Sequence, residues 1–225
     1  MNPIEQSGLG LDETYAGPPA PWHLEGVLHA TLWSVPARDV PQLAMPAETQ
    51  PIRVGGKLLV VTGWAHYTAP GTLAYNELLQ GLAVRRPGSL LPALTIERIW
   101  VDDATAAQGG RVLWSIPKEL ASFQYSGPSN DETAETTTAS VSRQGLPVAD
   151  LVFRPGAIMP LRAGSALRVV QSGQGGRVET RCALSGQPRH GRAQWTFAHD
   201  GPLAFLRGHT PRFSLRMERL RARFG

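Results

Sequence analysis

The chain has one cysteine and, among its 22 basic residues, two lysines; the other basic side chains are arginines. A lone Cys182 excludes an internal disulfide and any cysteine-based metal cluster, and it reads as a small buried hydrophobe. Long apolar runs are also missing. Leu58-Leu59-Val60-Val61 falls far short of the ~20 residues that span a bilayer, and no charged start leads into an apolar core as in a signal peptide. A cytoplasmic protein that does not engage membranes is therefore expected. The six histidines, at 23, 29, 66, 190, 199 and 209, form no H-x-x-x-H or H-x-H pair, so no metal site is expected. No G-x-x-x-x-G-K-[ST] loop, strand-linked G-x-G-x-x-G or G-x-S-x-G elbow occurs, which leaves nucleotide and serine-hydrolase chemistry without support. Acidic charge is slightly scarce, giving a formal net charge of +4 and an isoelectric point near 9.7. Arg212, Arg216, Arg219, Arg221 and Arg223 crowd the C-terminus, but no zinc-finger spacing or aromatic RNA-binding motif organises them, and no nucleic-acid partner is expected.

What is present is short strands. Hydrophobic residues make up 42% of the chain and charged residues 18%, enough to build a core. Residues 1–20, with Gly8, Gly10, Gly17, Pro18 and Pro19, read as a flexible N-terminal arm, and the fold begins near Pro21-Trp22. Strands are predicted over 27–35, 57–68, 73–84, 94–101, 133–143 and 148–153, then 167–171, 178–184, 193–197, 203–207 and 213–217. Turns are expected at 172–176, His190-Gly191 and Asp200-Gly201. Helical signals are confined to a turn or two over 37–43 and to 103–108, which has Asp103 as N-cap and Gly109-Gly110 as stop. Without regular strand–helix alternation, this pattern predicts a mainly β (α+β) fold. It would be a single domain over 21–225, an antiparallel sheet curled into a barrel or sandwich with a few short helices.

Scarcity makes one lysine conspicuous. Lys118 lies in Trp114-Ser115-Ile116-Pro117-Lys118-Glu119-Leu120, an apolar stretch whose proline fixes the backbone ahead of the amine. A primary amine can lose its proton and attack a carbonyl, which a guanidinium cannot do. An isolated lysine is also an ordinary solvated charge, so composition alone does not decide its role.

Ile99-Trp100-Val101-Asp102-Asp103, Gly110-Arg111 and Ile116-Pro117-Lys118-Glu119-Leu120 together resemble the acetoacetate decarboxylase family. There a Gly-Arg pair precedes Pro-Lys by the same interval, and the lysine forms a Schiff base with the substrate ketone. The resemblance continues upstream through Tyr75-Asn76-Glu77, and it implies Lys118 as nucleophile and Glu77 as active-site glutamate. It implies as well a cone-shaped antiparallel barrel, a homo-oligomer, a small-molecule carbonyl substrate and no cofactor. Arg111, Tyr75, Trp114 and Trp64 become candidates for substrate binding, while Arg111 serves equally well as a turn anchor beside Asp102 or Asp103. Ile116, Pro117, Leu120 and Trp100 are further candidate walls.

The residue types fit the chemistry. An amine with a pKa near ~10.4 is almost wholly charged at neutral pH and must be made neutral to attack. Activation by burial or by a cationic neighbour is the family's own known device, taken here with the resemblance. Once formed, an iminium is an electron sink that allows loss of CO₂, proton removal or carbon–carbon bond formation next to it, with Glu77 carrying protons.

Three positions depart from the family. Its second lysine is replaced by Glu119, which on a strand would face away from the pocket. Its second glutamate falls on Thr62, and a first-strand arginine linked to the substrate carboxylate falls near Val27. The carboxylate is then either absent or met by Arg111 or Arg98. These departures weaken simple acetoacetate decarboxylation, and relatives of this fold also perform aldol condensation and dehydration on larger keto acids. The leading expectation is a Schiff-base-forming lyase acting on a keto acid or related carbonyl compound. The alternative is a non-catalytic small-metabolite-binding protein on the same barrel.

Overall fold

The structure, a computed structural model, describes residues 15–42, 45–128, 136–160 and 163–225. Its elements run β1 (Trp22–Pro36), the short β2 (Gln50–Pro51) and β3 (Arg53–Val54), β4 (Lys57–Thr68), β5 (Asn76–Arg85) and β6 (Ala93–Val101). A single helix among the described residues, α1 (Ala104–Trp114), leads to the short β7 (Lys118–Leu120). Then follow β8 (Ser122–Ser126), β9 (Thr137–Arg143), β10 (Leu146–Ile158), β11 (Ala163–Gly173), β12 (Gly176–Phe197) and β13 (Phe213–Phe224). No helix among the described residues is long and apolar enough to cross a membrane.

The long strands pair in the order β11-β6-β5-β4-β1-β13-β12-β10-β9-β8, and β11 pairs with β12 as well. The sheet thus curls until β11 meets β6 through one parallel bridge, Val169 to Leu94. Length makes this possible. β12 pairs with β11 over its first half and with β10 over its second, so one strand belongs to both ends of the curl.

Because successive side chains on a strand face opposite sides, the central strands feed two cores. From β4, Leu58, Val60 and Trp64 join one cluster, with Leu78 and Leu82 of β5, Trp100 of β6, and Leu151 and Phe153 of β10. The alternate residues turn to the other side, where Ile99, Val101, Trp22, Trp114, Ile116 and Val169 gather. Each fully buried large side chain contributes on the order of 1.5–3 kcal/mol from leaving water. The second side is the one that holds the candidate site.

The mainly β, curled antiparallel architecture is as the sequence predicts, and four local expectations are corrected. Residues 178–184 and 193–197 are one 22-residue strand, with His190-Gly191 inside it rather than at a turn. Gly191 lies where an added Cβ would come 2.3 Å from the Phe153 ring, so its place in the strand reflects close packing. Residues 203–207 form a 3₁₀ turn at Ala204–Leu206 instead of a strand, seating Leu203 and Leu206 in the first core. Residues 37–40 form turns and bends rather than helix. Helix α1 starts as expected, with the Asp103 carboxylate accepting from the Ala106 N–H at 2.6 Å, but it runs through Gly109-Gly110 to Trp114. The glycines do not stop it, because they are needed where side chains press on the helix. The predicted strand over 133–143 is seen from Thr137, its start lying partly outside the described residues. Of the N-terminal arm, residues 1–14 lie outside them too, whereas Tyr15 is held, its hydroxyl donating to the Pro18 carbonyl at 2.7 Å.

Candidate active site

Helix α1 ends on Ser115, which adopts the left-handed conformation (φ 55°) and donates its N–H to the Arg111 carbonyl. That reversal sends Ile116 back along the helix, its N–H donating to the Gly110 carbonyl at 3.0 Å. The three residues from Lys118 then lie parallel to β6, with Lys118 opposite Ile99. Two further constraints explain the spacing of Gly110-Arg111 and Lys118. A Cβ on Gly110 would stand 2.6 Å from the Lys118 Cδ, so the helix must be bare there for the lysine stem to pass. The Arg111 Nη1 donates to the Lys118 carbonyl at 2.6 Å, fixing the backbone that carries the amine.

The amine ends in an apolar cavity. Lys118 is 5% exposed and Glu77 equally so, and Nζ lies 2.7 Å from the Glu77 Oε2. It also donates to the Tyr75 hydroxyl at 3.1 Å, and that hydroxyl donates in turn to Oε2 at 3.4 Å. The Tyr75 ring sits 4.8 Å from Nζ and the Trp22 ring 5.9 Å, both within reach of cation–π attraction. Glu77 and Tyr75 meet the amine across the sheet, because β5 pairs with β6 at Glu77–Val101. The cavity, of about 200 Å³, is walled by Trp22 and Leu28 of β1, Leu79 of β5, Trp114, and Leu167 and Leu184 from the C-terminal strands, among others.

A charged carboxylate in a poorly hydrated wall acts on its neighbours. Burial, and next the charge of Glu77, push the Tyr75 and Tyr67 phenols well above their ordinary range, so both remain protonated donors. The same two causes push the Cys182 thiol up to about 12, which keeps it un-ionised at neutral pH. Lysine and glutamate form a pair in which Nζ and Oε2 are joined by a direct hydrogen bond.

Of the residues singled out from sequence, Lys118, Glu77, Tyr75 and Trp114 come together. Trp64 does not. It lies fully buried in the first core, edge-on to Phe123, because its strand parity puts it on the far face from Val61 and Gly63, which line the cavity. Trp100 shares that fate, while Pro117 and Leu120 are exposed and wall nothing. Arg111 is a backbone anchor rather than a pocket group. Arg98 lines a separate groove with Glu119 and Arg143, so neither arginine is available to a carboxylate in the cavity. Glu119 points away from Lys118 and pairs with Arg143 at 2.9 Å. Thr62 also faces the far side, accepting from the Trp33 indole at 3.0 Å.

Sequence reasoning missed Trp22 as a wall, along with Tyr67, Cys182 and the apolar residues of β11 to β13. The Trp22 indole donates to the Pro18 carbonyl at 2.9 Å, and the ring lies over Gly109, where a Cβ would come 2.5 Å from it. The signal was present in part, since Leu167 and Val169, Cys182 and Leu184, and Ala222 and Phe224 alternate with arginine or other residues. Only the closure of the sheet shows which cavity that face serves.

Fold and site define a curled antiparallel sheet protein with a buried lysine–glutamate pair in an apolar cavity. The sequence profile described as Acetoacetate decarboxylase (ADC) matches residues 49–192, which include Glu77, Arg111 and Lys118, and the chain belongs to that family. Solved structures share the fold. Acetoacetate decarboxylase from Legionella pneumophila subsp. pneumophila str. Philadelphia 1 superposes with a TM-score of 0.68 at 13% identity, over 100% of this chain and 94% of that one. The enduracididine biosynthesis enzyme MppR complexed with pyruvate gives 0.62 at 18%, over 100% and 95%. An acetoacetate decarboxylase-like enzyme from Sphingomonas wittichii RW1 gives 0.58 at 14%, over 91% and 90%. A search of curated protein sequences finds no match.

Proposed function

We propose that the protein is a Schiff-base-forming lyase of the acetoacetate decarboxylase-like group, acting on a carbonyl compound through Lys118 and Glu77. The observation that carries this reading is the 2.7 Å contact between Nζ and Oε2 inside a cavity walled by apolar side chains. Glu77 accepts the ammonium proton, and the neutral amine adds to the carbonyl carbon. Glu77 returns that proton to the carbinolamine hydroxyl, and its loss as water leaves the iminium with the carboxylate again free. The carboxylate then carries protons to and from the carbon beside it, a role worth about 10²- to 10⁴-fold in rate. Tyr75, held protonated, orients Nζ and donates to oxygen as it leaves. Membership of the family and structural likeness to a pyruvate complex agree with carbonyl chemistry.

Hydrogen exchange tests the reading. Pyruvate, acetone and octan-2-one are incubated with the protein in D₂O, and loss of their α-C–H signals is followed by NMR. Exchange by the wild type that Lys118→Met abolishes supports the proposal. Binding of these compounds without exchange of any of them replaces it with the non-catalytic binding protein.

A further inference from the structure

The Lys118 cavity holds one cation, and Glu77 already occupies it. Among the described residues that line the cavity there is no arginine and no histidine. This is a property of strand register rather than of composition, since arginine is plentiful in the strands that build the wall. Leu167 and Val169 face inward, and Arg168 between them is exposed. Cys182 faces inward and Arg181 outward, while Ala222 and Phe224 face inward with Arg221 and Arg223 exposed on either side of Ala222. Four guanidinium groups that a one-residue slip would turn into the cavity are all turned out of it. On β1 the inward positions are Trp22, Leu24, Leu28 and Ala30, none of them charged, and the Trp22 indole N–H is already given to the Pro18 carbonyl.

A substrate carboxylate would enter this space with its amine neighbour bound to another carboxylate. It would leave water for a wall of leucine, isoleucine and aromatic rings, at a cost of several kcal/mol without a partner. The two phenols could offer it a neutral hydrogen bond, but Glu77 lies close enough to raise both of them, and its charge would repel a second anion. An uncharged carbonyl compound meets none of these costs. Size narrows the class: the cavity is about 200 Å³, somewhat more than the ~150 Å³ apolar cavity that takes up benzene.

We propose that the natural substrate is an uncharged aldehyde or ketone with an apolar body of about benzene size or slightly larger, so that the chemistry at Lys118 proceeds without releasing CO₂. The inference rests on the imine reading above and narrows it. The lysine nitrogen bonds to the carbonyl carbon, and the oxygen leaves as water. Glu77 takes a proton from the adjacent carbon, and the electron pair of that C–H bond forms the enamine. Return of a proton to that carbon regenerates the iminium, and water hydrolyses it, restoring the amine and the carbonyl. No oxidant, metal or cofactor enters the balance.

The test uses a pair of probes with the same alkyl chain, octan-2-one and 2-oxooctanoate, in which a methyl group on the carbonyl is exchanged for a carboxylate. Each is incubated with the full-length protein and reduced with cyanoborohydride, and peptide mass spectrometry quantifies adducts at Lys118 and at Lys57. Lys57 is exposed, so its labelling measures the intrinsic reactivity of each carbonyl toward an unburied amine. The expected result is a Lys118-to-Lys57 labelling ratio at least ~100-fold larger for the ketone than for the keto acid, as an unpaired buried charge requires. An equal or larger ratio for 2-oxooctanoate overturns the substrate class while leaving the imine in place. No adduct at Lys118 with either probe overturns the imine reading and this inference with it.

Discussion

Replacing the buried pair tests whether Lys118 and Glu77 act as one unit. Each side chain is nearly removed from water, and the amine and carboxylate meet at 2.7 Å. Lys118→Met leaves the Glu77 carboxylate in an apolar wall with the Tyr75 hydroxyl, 3.4 Å away, as its remaining partner. Glu77→Leu leaves the ammonium with only that hydroxyl and two ring faces. Stranding either charge costs roughly 3–5 kcal/mol. For a chain of this size each kcal/mol lowers the melting temperature by about 2–4 °C, so each single variant should melt roughly 6–20 °C below the wild type. The double variant removes both charges and fills the space with apolar side chains of similar length, an exchange that is often neutral or favourable. It should fall within about 1.5 kcal/mol of the wild type, which with these single losses means a coupling energy of at least about 4.5 kcal/mol in a urea-denaturation cycle. Single effects that simply add, to within about 0.5 kcal/mol, would refute the pair.

Other outcomes follow from the same geometry. Glu77→Gln keeps the shape of the site but cannot accept a proton, so α-hydrogen exchange of octan-2-one should fall about 10²- to 10⁴-fold; an unchanged rate would remove Glu77 from proton transfer. Gly110→Ala places a Cβ 2.6 Å from the Lys118 Cδ and should slow imine formation by about 10- to 100-fold through displacement of the amine, measured by cyanoborohydride labelling at Lys118. Arg111→Ala releases the Lys118 carbonyl, so it should reduce the labelling rate for neutral and anionic carbonyls alike; a loss confined to keto acids would make Arg111 a carboxylate ligand after all. His29, lowered to about 3 by burial and next by the Arg216 charge, stays neutral in the fold while the unfolded chain takes up a proton near pH ~6.5. Its contribution is complete above that pH and declines by about 1.4 kcal/mol per pH unit as acid is added, until pH about 3. His29→Gln should flatten the stability profile in that window, read by urea midpoints from pH 7 to pH 4.

Much of this was legible in the sequence, and the failures share a cause. Period-two patterning and turn residues located most strands, and the Gly110-Arg111, Lys118 and Glu77 constellation marked the chemical groups, because both signals are local. Facing is different. Trp64 and Trp100 are apolar and close in sequence to the site, but whether each turns toward the cavity depends on strand parity against partners far along the chain. The same holds for Trp22, which β1 sets opposite Phe224 of β13, far along the chain. Gly109 and Gly110 read as a helix stop from local rules. Their actual reasons, the Trp22 ring and the Lys118 stem, are tertiary. Local rules break β12 in two because Gly191 resembles a turn residue until Phe153 is seen against it.

Reductive trapping reads directly whether Lys118 is the reactive amine. The full-length protein is incubated with octan-2-one and cyanoborohydride, and intact-mass and peptide analysis follow. One reduced adduct per chain is expected, mapped to Lys118 and formed far faster than at Lys57, with labelling abolished in Lys118→Met. Labelling of Lys57 and Lys118 at the same rate, or of Lys57 alone, would contradict it.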